Sequence, residues 1–314
     1  MNKKVSIIVG ILIVGIIGGS FFFKPKDSKK EEAKNTDIKI THGLGEATLN
    51  KKPEKIVAFD YGTIDSLDKM GIEIAGLPKS NLPAGLQKFK DDKYLDAGTL
   101  FEPNFEKIHE LKPDVIFISG RQSKVYEDLN KIAPTIYLNI EDGKYMESLK
   151  SNLKTLGEIF KKEDFVKAEI KKLEESINAI NKKASESGKK ALVTLTNNGS
   201  LSVYGKDSRF GLIHIELGFP LSDENIDAST HGQKITFEYV VEKNPDYMFV
   251  IDRGAVVSGG EKSVNKILEN DLIKTTEAYK NNKIISLNPE YWYISPGGLG
   301  STTEMLKEVE NSIK

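Results

Sequence analysis

The stretch NFEKIHELKPDVIFISGR, at residues 104–121, occurs a second time in this chain as TFEYVVEKNPDYMFVIDR at residues 236–253. The two copies align without a gap at an offset of 132 residues, and seven of their 18 positions are identical. In each copy a helical segment leads through Pro-Asp into an apolar strand and ends at an arginine, Arg121 or Arg253. The repeat predicts two lobes built alike, each with an arginine just past a buried strand.

Arginine is rare in this chain, since it accounts for only three of the 45 basic side chains, Arg121, Arg209 and Arg253. Codon bias in an AT-rich genome explains a low count, but not why two of the three occupy matched positions of the repeat. A planar guanidinium with five fixed donors suits anionic oxygens in a way that lysine does not. Ligands of α/β lobes bind beyond the carboxyl ends of strands, so we expect Arg121 and Arg253 to face one cleft.

Strands and helices alternate in both halves of the chain. The first half is expected to open with a hairpin at 38–49, followed by strands at 56–59, 115–118 and 135–138. The second half has strands at 191–195, 247–251 and 284–287, and its Ser301-Thr-Thr-Glu304 has the capping-box spacing that opens a final helix. Alternation of this kind predicts parallel α/β layers.

A long helix is predicted between the halves at residues 163–187. Its apolar residues recur at steps of four and three, and no glycine or proline interrupts it before Gly188. Such a helix would span about 37 Å. The predicted fold class is therefore α/β, with two Rossmann-like lobes joined by a single long rigid helix and a ligand cleft between the lobes. We place the N-terminal lobe at 38–162, the connecting helix at 163–188 and the C-terminal lobe at 189–314.

The N-terminus predicts attachment to a membrane. Residues 5–23 carry no charge and are rich in Ile, Val and Gly, and a polar, highly charged tether follows at 24–37. A run of about 20 apolar residues can span a bilayer, whereas the apolar region of a signal peptide is usually about 7–15 residues long. We expect residues 1–23 to be an uncleaved anchor, with a cleaved signal as the alternative, and the following domain to lie outside the cell.

Bulk composition narrows the possible functions. The chain of 314 residues has a formal net charge of −1, which indicates no nucleic-acid partner, and it has no cysteine for disulfides, thiolate metal sites or nucleophiles. It contains no Gly-x-Ser-x-Gly, His-Glu-x-x-His or P-loop motif. Its four histidines, His42, His109, His214 and His231, do not cluster in sequence, which disfavours a dedicated zinc or manganese site.

Several stretches resemble the class III periplasmic binding proteins, the substrate-binding components of ABC importers for ferric siderophores, haem and cobalamin. The resemblance rests on PEKIVAFDYG at 53–62, GTLFEPNFEKI at 98–108 and LKPDVIFISGR at 111–121. GKDSRFG at 205–211 and Tyr-Trp-Tyr at 291–293, before a glycine-rich turn, are closest to the petrobactin-type and enterobactin-type proteins, which bind catecholates. The similarity covers the chain from about residue 38 to its end.

The resemblance implies a set of site residues. In that subfamily three arginines hold the catecholate oxygens, and Arg121, Arg209 and Arg253 match them by local context. A histidine and a tyrosine complete the iron shell when the siderophore supplies only four ligand atoms, which points to His231 and Tyr293, with Tyr291 as the alternate. The glycine-rich surroundings of Trp292 predict a loop in which this side chain contacts the ligand, with ordinary core packing as the alternative. One glutamate on each lobe docks the permease, and the repeat puts Glu106 and Glu238 at those positions.

The predicted function is that of a binding protein and not an enzyme. It would hold no permanent cofactor, take a ferric siderophore as its ligand and deliver it as a monomer to an ABC permease and its ATPase. Haem, hydroxamate or citrate chelates remain alternative ligands, and an extracellular α/β hydrolase remains the alternative from another class. Family members in Gram-positive bacteria are usually anchored through a lipid-modified cysteine, which this chain lacks. Attachment would therefore depend on the apolar segment itself, or this sequence carries an altered residue at the anchoring position.

Overall fold

The computed structural model describes residues 37–197, 199–227, 229, 231–257 and 264–313. A hairpin of β1 (Ile38–His42) and β2 (Gly45–Leu49) precedes the first large sheet. That sheet contains β3 (Ile56–Ala58), β4 (Gly76–Leu77), β5 (Leu95–Asp96), β6 (Val115–Ile118) and β7 (Thr135–Tyr137). Its strands are parallel in the order β5-β4-β3-β6-β7, and the connections carry α1 (Tyr61–Lys69), α2 (Phe105–Leu111) and α3 (Tyr126–Asn130).

Two long helices, α4 (Tyr145–Phe160) and α5 (Glu163–Ser187), follow the first sheet. The second sheet contains β8 (Ala191–Asn197), β9 (Ser200–Tyr204), β10 (Gln233–Ile235), β11 (Tyr247–Asp252) and β12 (Ile284–Leu287). The helices of this half are α6 (Leu212–Ile215), α7 (Phe237–Lys243), α8 (Arg253–Val257), α9 (Val264–Glu269), α10 (Glu277–Lys280) and α11 (Leu299–Ser312).

The second sheet is mixed, so the prediction of parallel layers is wrong for this half. Its order is β10-β9-β8-β11-β12, and β9 runs antiparallel to both of its neighbours. The reason is local: β8 ends at Asn197 and β9 begins at Ser200, a connection too short for the crossover that parallel strands require. Strands β8, β11 and β12 remain parallel. The fold class itself, two α/β lobes that each contain a sheet, agrees with the prediction.

The sequence repeat appears as a repeated helix-strand unit. Helices α2 and α7 are seven residues each, and both end in a left-handed residue, Lys112 (φ 52°) or Asn244 (φ 39°). Asp114 then accepts backbone hydrogen bonds from Lys55, as Asp246 does from Lys190, and so ties the unit to the chain entering the neighbouring strand. Strands β6 and β11 are each the fourth strand in their sheet order. Arg121 and Arg253 therefore come after equivalent strands of the two lobes.

Helix α5 lies where the sequence pattern predicted it and contributes a buried stripe to the core. Its residues Val166, Ile170, Leu173, Ile177 and Ile180 are buried, and Gly188 ends the helix in a left-handed conformation (φ 62°). Each fully buried Leu or Ile stabilises the fold by roughly 1.5–3 kcal/mol. Helix α4, which packs against α5, was not predicted from the sequence, although its buried Leu149, Leu153, Leu156 and Phe160 have helical spacing.

The last helix starts at Leu299, so the prediction that Ser301 caps it is wrong. Gly298 is the N-cap residue, and the hydroxyl of Ser301 donates to the carbonyl oxygen of Ser295 at 2.6 Å. Helix α11 packs against both α5 and α1, so it also contacts the first half. Among the residues that the structure describes, no helix is long and apolar enough to cross a membrane. The anchor predicted at 1–23 and nearly all of the tether lie outside those residues.

Candidate functional site

A cavity of about 690 Å³ lies between residues of the two sheet-containing halves. Its volume is within the range of pockets that bind small molecules and cofactors. Arg121 and Phe101 line it from the first half, and Arg209, Arg253 and Tyr293 line it from the second. The three arginines of the chain, which stand up to 132 residues apart in sequence, are therefore brought to one cavity.

All three guanidinium groups contact Tyr293. Nη2 of Arg121 and Nη2 of Arg209 donate hydrogen bonds to the carbonyl oxygen of Tyr293 at 3.0 and 3.2 Å. Nε of Arg253 donates to the phenolic oxygen at 2.7 Å. Cζ of Arg209 lies 4.4 Å from the centroid of the Tyr293 ring, and Cζ of Arg253 lies 5.5 Å from it. One tyrosine thus orients three cations.

Arg121 is held in place by its neighbours on the turn after β6. The hydroxyl of Ser119 donates to Oδ1 of Asp60 at 3.0 Å, and the backbone N–H of Ser119 donates to Oε1 of Gln122 at 3.2 Å. The buried amide of Gln122 also donates to the carbonyl oxygen of Leu100. Because these hydrogen bonds hold Ser119 and Gln122, the backbone of Arg121 has a defined position.

Arg209 lies on a compact turn between β9 and α6. The backbone N–H of Gly211 donates to the carbonyl oxygen of Ser208 at 2.9 Å, and that oxygen also accepts from Gly143 of the first half at 3.0 Å. A Cβ atom at Gly211 would lie under 3.0 Å from the carbonyl oxygen of Lys206, so this turn requires glycine. Arg253 is placed more simply, because it follows β11 directly and begins α8.

Three arginines and three carboxyl residues, Asp60, Glu141 and Asp142, line the cavity. None of the ion pairs formed within the described ranges involves Arg121, Arg209 or Arg253. Burial lowers the pKa of Arg209; the phenol of Tyr293 opposes this shift, while the charge of Arg121 adds to it. Arginine nevertheless stays protonated in proteins. The cavity therefore holds three cations whose hydrogen bonds go to a tyrosine instead of a carboxylate.

A buried carboxyl group, Asp60, also lines the cavity. Its Oδ2 accepts from the backbone N–H of Thr63 at 2.8 Å, which caps helix α1. Burial raises the pKa of Asp60 above its ordinary value, while the Thr63 hydrogen bond and the charge of Arg121 act in the opposite direction. Asp60 is not among the site residues predicted from the sequence. The rule that selected the arginines, a polar residue just past a strand, would also have selected Asp60.

The two predicted iron ligands both line the cavity. His231 is exposed and Tyr293 is half-buried, and they reach the cavity from different elements of the second half. Both tyrosines pack against the core, but Tyr291 is not among the lining residues, and burial raises its pKa. Tyr293 lies on a single π-helical turn, Glu290–Ile294, an irregularity that is frequent at functional sites. The placement therefore favours Tyr293 over Tyr291.

The structure gives Trp292 a different place from the predicted ligand-contacting one. Its side chain is 1% exposed, it belongs to the core, and it is not among the residues that line the cavity. Its indole N–H donates to Oε2 of Glu308 in α11 at 2.9 Å. The core-packing alternative is the one observed, because the π-helical turn directs Tyr293 to the cavity and the preceding residue to the interior.

The two predicted docking glutamates occupy equivalent positions. Glu106 and Glu238 are exposed, and each lies in the first turn of its helix, α2 or α7. A hydrogen bond from the Thr236 side chain lowers the pKa of Glu238. Within the part of the chain that the structure describes, no group of three or more His, Asp or Glu side chains could hold a metal ion by itself.

The chain is similar to known proteins over most of its length. A profile of the periplasmic binding protein family matches residues 56–291. The chain is 45% identical to the petrobactin-binding protein YclQ of Bacillus subtilis (strain 168) over 99% of both chains. The crystal structure of YclQ aligns with a TM-score of 0.86 and 48% identity, over 89% of this chain and 99% of that one.

Two further relatives come from other bacteria. The ferric-anguibactin-binding protein FatB of Vibrio anguillarum (strain ATCC 68554 / 775) is 33% identical over 87% of each chain. The crystal structure of the periplasmic catecholate-siderophore binding protein VctP from Vibrio cholerae aligns with a TM-score of 0.84 and 36% identity, over 88% of this chain and 100% of that one.

Proposed function

This chain belongs to the periplasmic binding protein family, and from that premise we propose that it captures an anionic ferric catecholate siderophore for an ABC importer. Its family and its relatives are substrate-binding proteins, which are not enzymes, so the hydrolase alternative has no support. One observation carries the choice of ligand: Arg121, Arg209 and Arg253 line a single cavity.

The three guanidinium groups of the cavity suit the negative charge of such a chelate. A ferric tris-catecholate carries about three negative charges, and one charge pair at about 4 Å contributes about 4 kcal/mol at an effective dielectric near 20, before desolvation. Three guanidiniums that share no carboxylate partner can direct their N–H donors to the catecholate oxygens. A neutral ligand would offer these guanidiniums no charged acceptor, so the three arginines favour an anionic ligand.

His231 and Tyr293 are proposed to bind the iron itself when the chelator leaves coordination positions open. Imidazole nitrogen is a borderline donor and phenolate oxygen a hard one, and both suit ferric iron. We also propose that Tyr293 holds the arginines ready for the ligand. The guanidinium N–H groups that now donate to Tyr293 would donate to the oxygens of the incoming anion instead. The cavity is thus proposed to recognise both the charge of the chelate and its unfilled iron.

We propose that delivery takes place at the outer face of the membrane. The apolar segment at 1–23 would tether the protein there, and Glu106 and Glu238 would dock a permease that carries its own ATPase. The proposed ligand class includes petrobactin-type catecholates, since the YclQ protein is named for petrobactin. The protein is expected to act as a monomer with no resident cofactor.

The test is a titration of the purified protein with ferric catecholates, ferric hydroxamates, ferric citrate and haem, followed by the fluorescence of Trp292, the single tryptophan. We expect submicromolar binding of a catecholate, weakened at least about 100-fold in the double variant Arg121→Ala/Arg253→Ala. Lys182→Ala/Lys189→Ala removes the same charge from exposed positions outside the cavity and should leave the affinity unchanged. Binding of a hydroxamate, citrate or haem ligand without any catecholate would overturn the ligand class but keep the receptor function.

A further inference from the structure

One exposed aromatic side chain at the cavity is not used by the proposed contacts to charge and iron. Phe101 is 67% exposed, which makes it the most exposed large hydrophobic side chain among the residues that the structure describes. The other large hydrophobics with high exposure, Phe105, Ile215, Val257, Leu268 and Leu272, are 36–44% exposed and do not line the cavity. Single exposed hydrophobics are common, so the position of Phe101 at the cavity is what requires an explanation.

The loop that carries Phe101 is rigidly built. The Thr99 hydroxyl oxygen accepts from the backbone N–H groups of Phe101 at 3.2 Å and Glu102 at 3.0 Å. The backbone N–H of Thr99 donates to the carbonyl oxygen of Glu102 at 3.0 Å. Gly98 has φ +112°, and a Cβ atom there would lie under 3.0 Å from that same oxygen. The ring is therefore presented to solvent by a preformed turn.

This loop is also linked to the anion site. Leu100 is buried beside Phe101, and its carbonyl oxygen accepts from the side-chain amide of Gln122, the residue that follows Arg121. The position of the exposed ring is thus set by the same buried amide that fixes the turn carrying the guanidinium. A ligand bound by Arg121 would therefore lie at a defined distance and orientation from the Phe101 ring.

The other aromatic groups of the cavity are already committed. Tyr293 holds the three arginines, and His231 is proposed for iron. Phe101 has no partner ring or cation among the aromatic and cation–π contacts of the described residues. A catecholate directs its oxygens toward iron and the guanidiniums, which leaves the hydrocarbon part of its ring to be covered.

We infer that Phe101 is a specificity-determining residue that packs its ring against an aryl ring of the chelate. It thereby favours aryl chelates over aliphatic chelates of the same charge. Aromatic pairs add a geometry-dependent attraction to the burial of apolar area, so a ring at this position distinguishes ligands that the three arginines alone do not. The inference rests on the proposed function, because it assumes that a ferric catecholate occupies the cavity.

The test compares three substitutions of Phe101 in the full chain, with a ferric tris-catecholate as the probe and Trp292 fluorescence as the readout. Phe101→Ala should weaken binding about 10-fold, and Phe101→Leu, which keeps apolar volume but no ring, should weaken it nearly as much. Phe101→Tyr should bind within about 3-fold of the wild type, because it retains the ring. The thermal midpoints should not change, since the side chain is exposed. Phe105→Ala is the matched control and should bind like the wild type.

The outcomes separate this inference from the proposed function. If the wild type binds the catecholate and Phe101→Ala binds it equally well, the inference is overturned and the proposed function stands. If Phe101→Leu binds like the wild type while Phe101→Ala is weakened, the contact is merely apolar and the selection for aryl rings is overturned. A wild type that binds no ferric catecholate overturns both.

Discussion

Asp65, in α1 of the first half, accepts a hydrogen bond at 2.9 Å from the backbone N–H of Ser301, in the first turn of α11 in the second half. The same carboxylate oxygen accepts from Gly300 at 2.6 Å. A Cβ atom at Gly298 or at Gly300 would lie under 3.0 Å from a carboxylate oxygen of Asp65. The glycine-rich run after the aromatic residues therefore allows the two halves to approach closely, next to the turn that carries Tyr293.

The first prediction concerns this carboxylate. Asp65→Ala removes the acceptor for two backbone N–H groups in a partly buried place, so we expect a loss of about 1–3 kcal/mol in the free energy of unfolding at pH 7. Asp65→Asn keeps an oxygen acceptor and should lose less. Urea unfolding measures both. The control is Asp68→Ala, on the same helix as Asp65, which removes the ion pair between Asp68 and the exposed Lys88. It should lower the free energy of unfolding by less than about 1 kcal/mol.

The same position predicts a dependence of stability on pH. Burial raises the pKa of Asp65, although the hydrogen bonds from Ser301 and Gly300 oppose it, so the folded state holds the proton more tightly than the unfolded chain. The stability gained in this way is fully present below the unfolded pKa of about 3.9 and is lost as the pH rises through the raised folded value. When the pH is lowered from 7 to 4, the free energy of unfolding of the wild type should therefore rise relative to that of Asp65→Asn. An unchanged difference between the two proteins would contradict this prediction.

The second prediction separates the two tyrosines. Tyr293→Phe removes the phenolic oxygen that would bind iron and that now accepts from Arg253. We expect binding of a ferric chelate with four donor atoms to weaken by at least about 10-fold, and binding of a six-donor chelate to change less, because only the first leaves iron positions open. Tyr291→Phe is the matched control on the same turn. Equal losses in both variants, or an equal loss for both chelates, would argue against a phenolate ligand.

The third prediction concerns the exposed glutamates. Glu106→Lys and Glu238→Lys should leave the affinity for the ferric chelate unchanged, because both side chains lie outside the cavity, and should reduce cellular uptake of radiolabelled chelate at least about 10-fold by reversing the docking charge. Glu110→Lys and Glu242→Lys make the same change at the other matched pair of the repeat and should transport normally. Normal uptake in the first pair would remove these residues from the docking surface.

Particular residues show how far the sequence could lead. The gap-free repeat was sufficient to predict α2, β6, α7 and β11, because local propensity and burial act within each short unit. The direction of β9 and the start of α11 were missed. The short connection between β8 and β9 decides the direction of β9. At the start of α11, the carboxylate of Asp65, more than 230 residues away in sequence, accepts the backbone hydrogen bonds that a capping box was expected to satisfy. The π-helical turn directs Trp292 to the interior, where its indole N–H donates to Glu308 of α11.

The residue pattern alone was enough to predict two similar α/β lobes, each with an arginine just past a buried strand. Hydrophobic period and backbone capping are encoded over a few neighbouring residues, so they can be read without coordinates. Three relations are visible only in the folded protein: Tyr293 contacts all three arginines, Trp292 faces the core, and Phe101 is exposed at the same cavity. Those relations depend on the packing of segments distant in sequence, where a π-helical turn and a buried amide set the direction of single side chains.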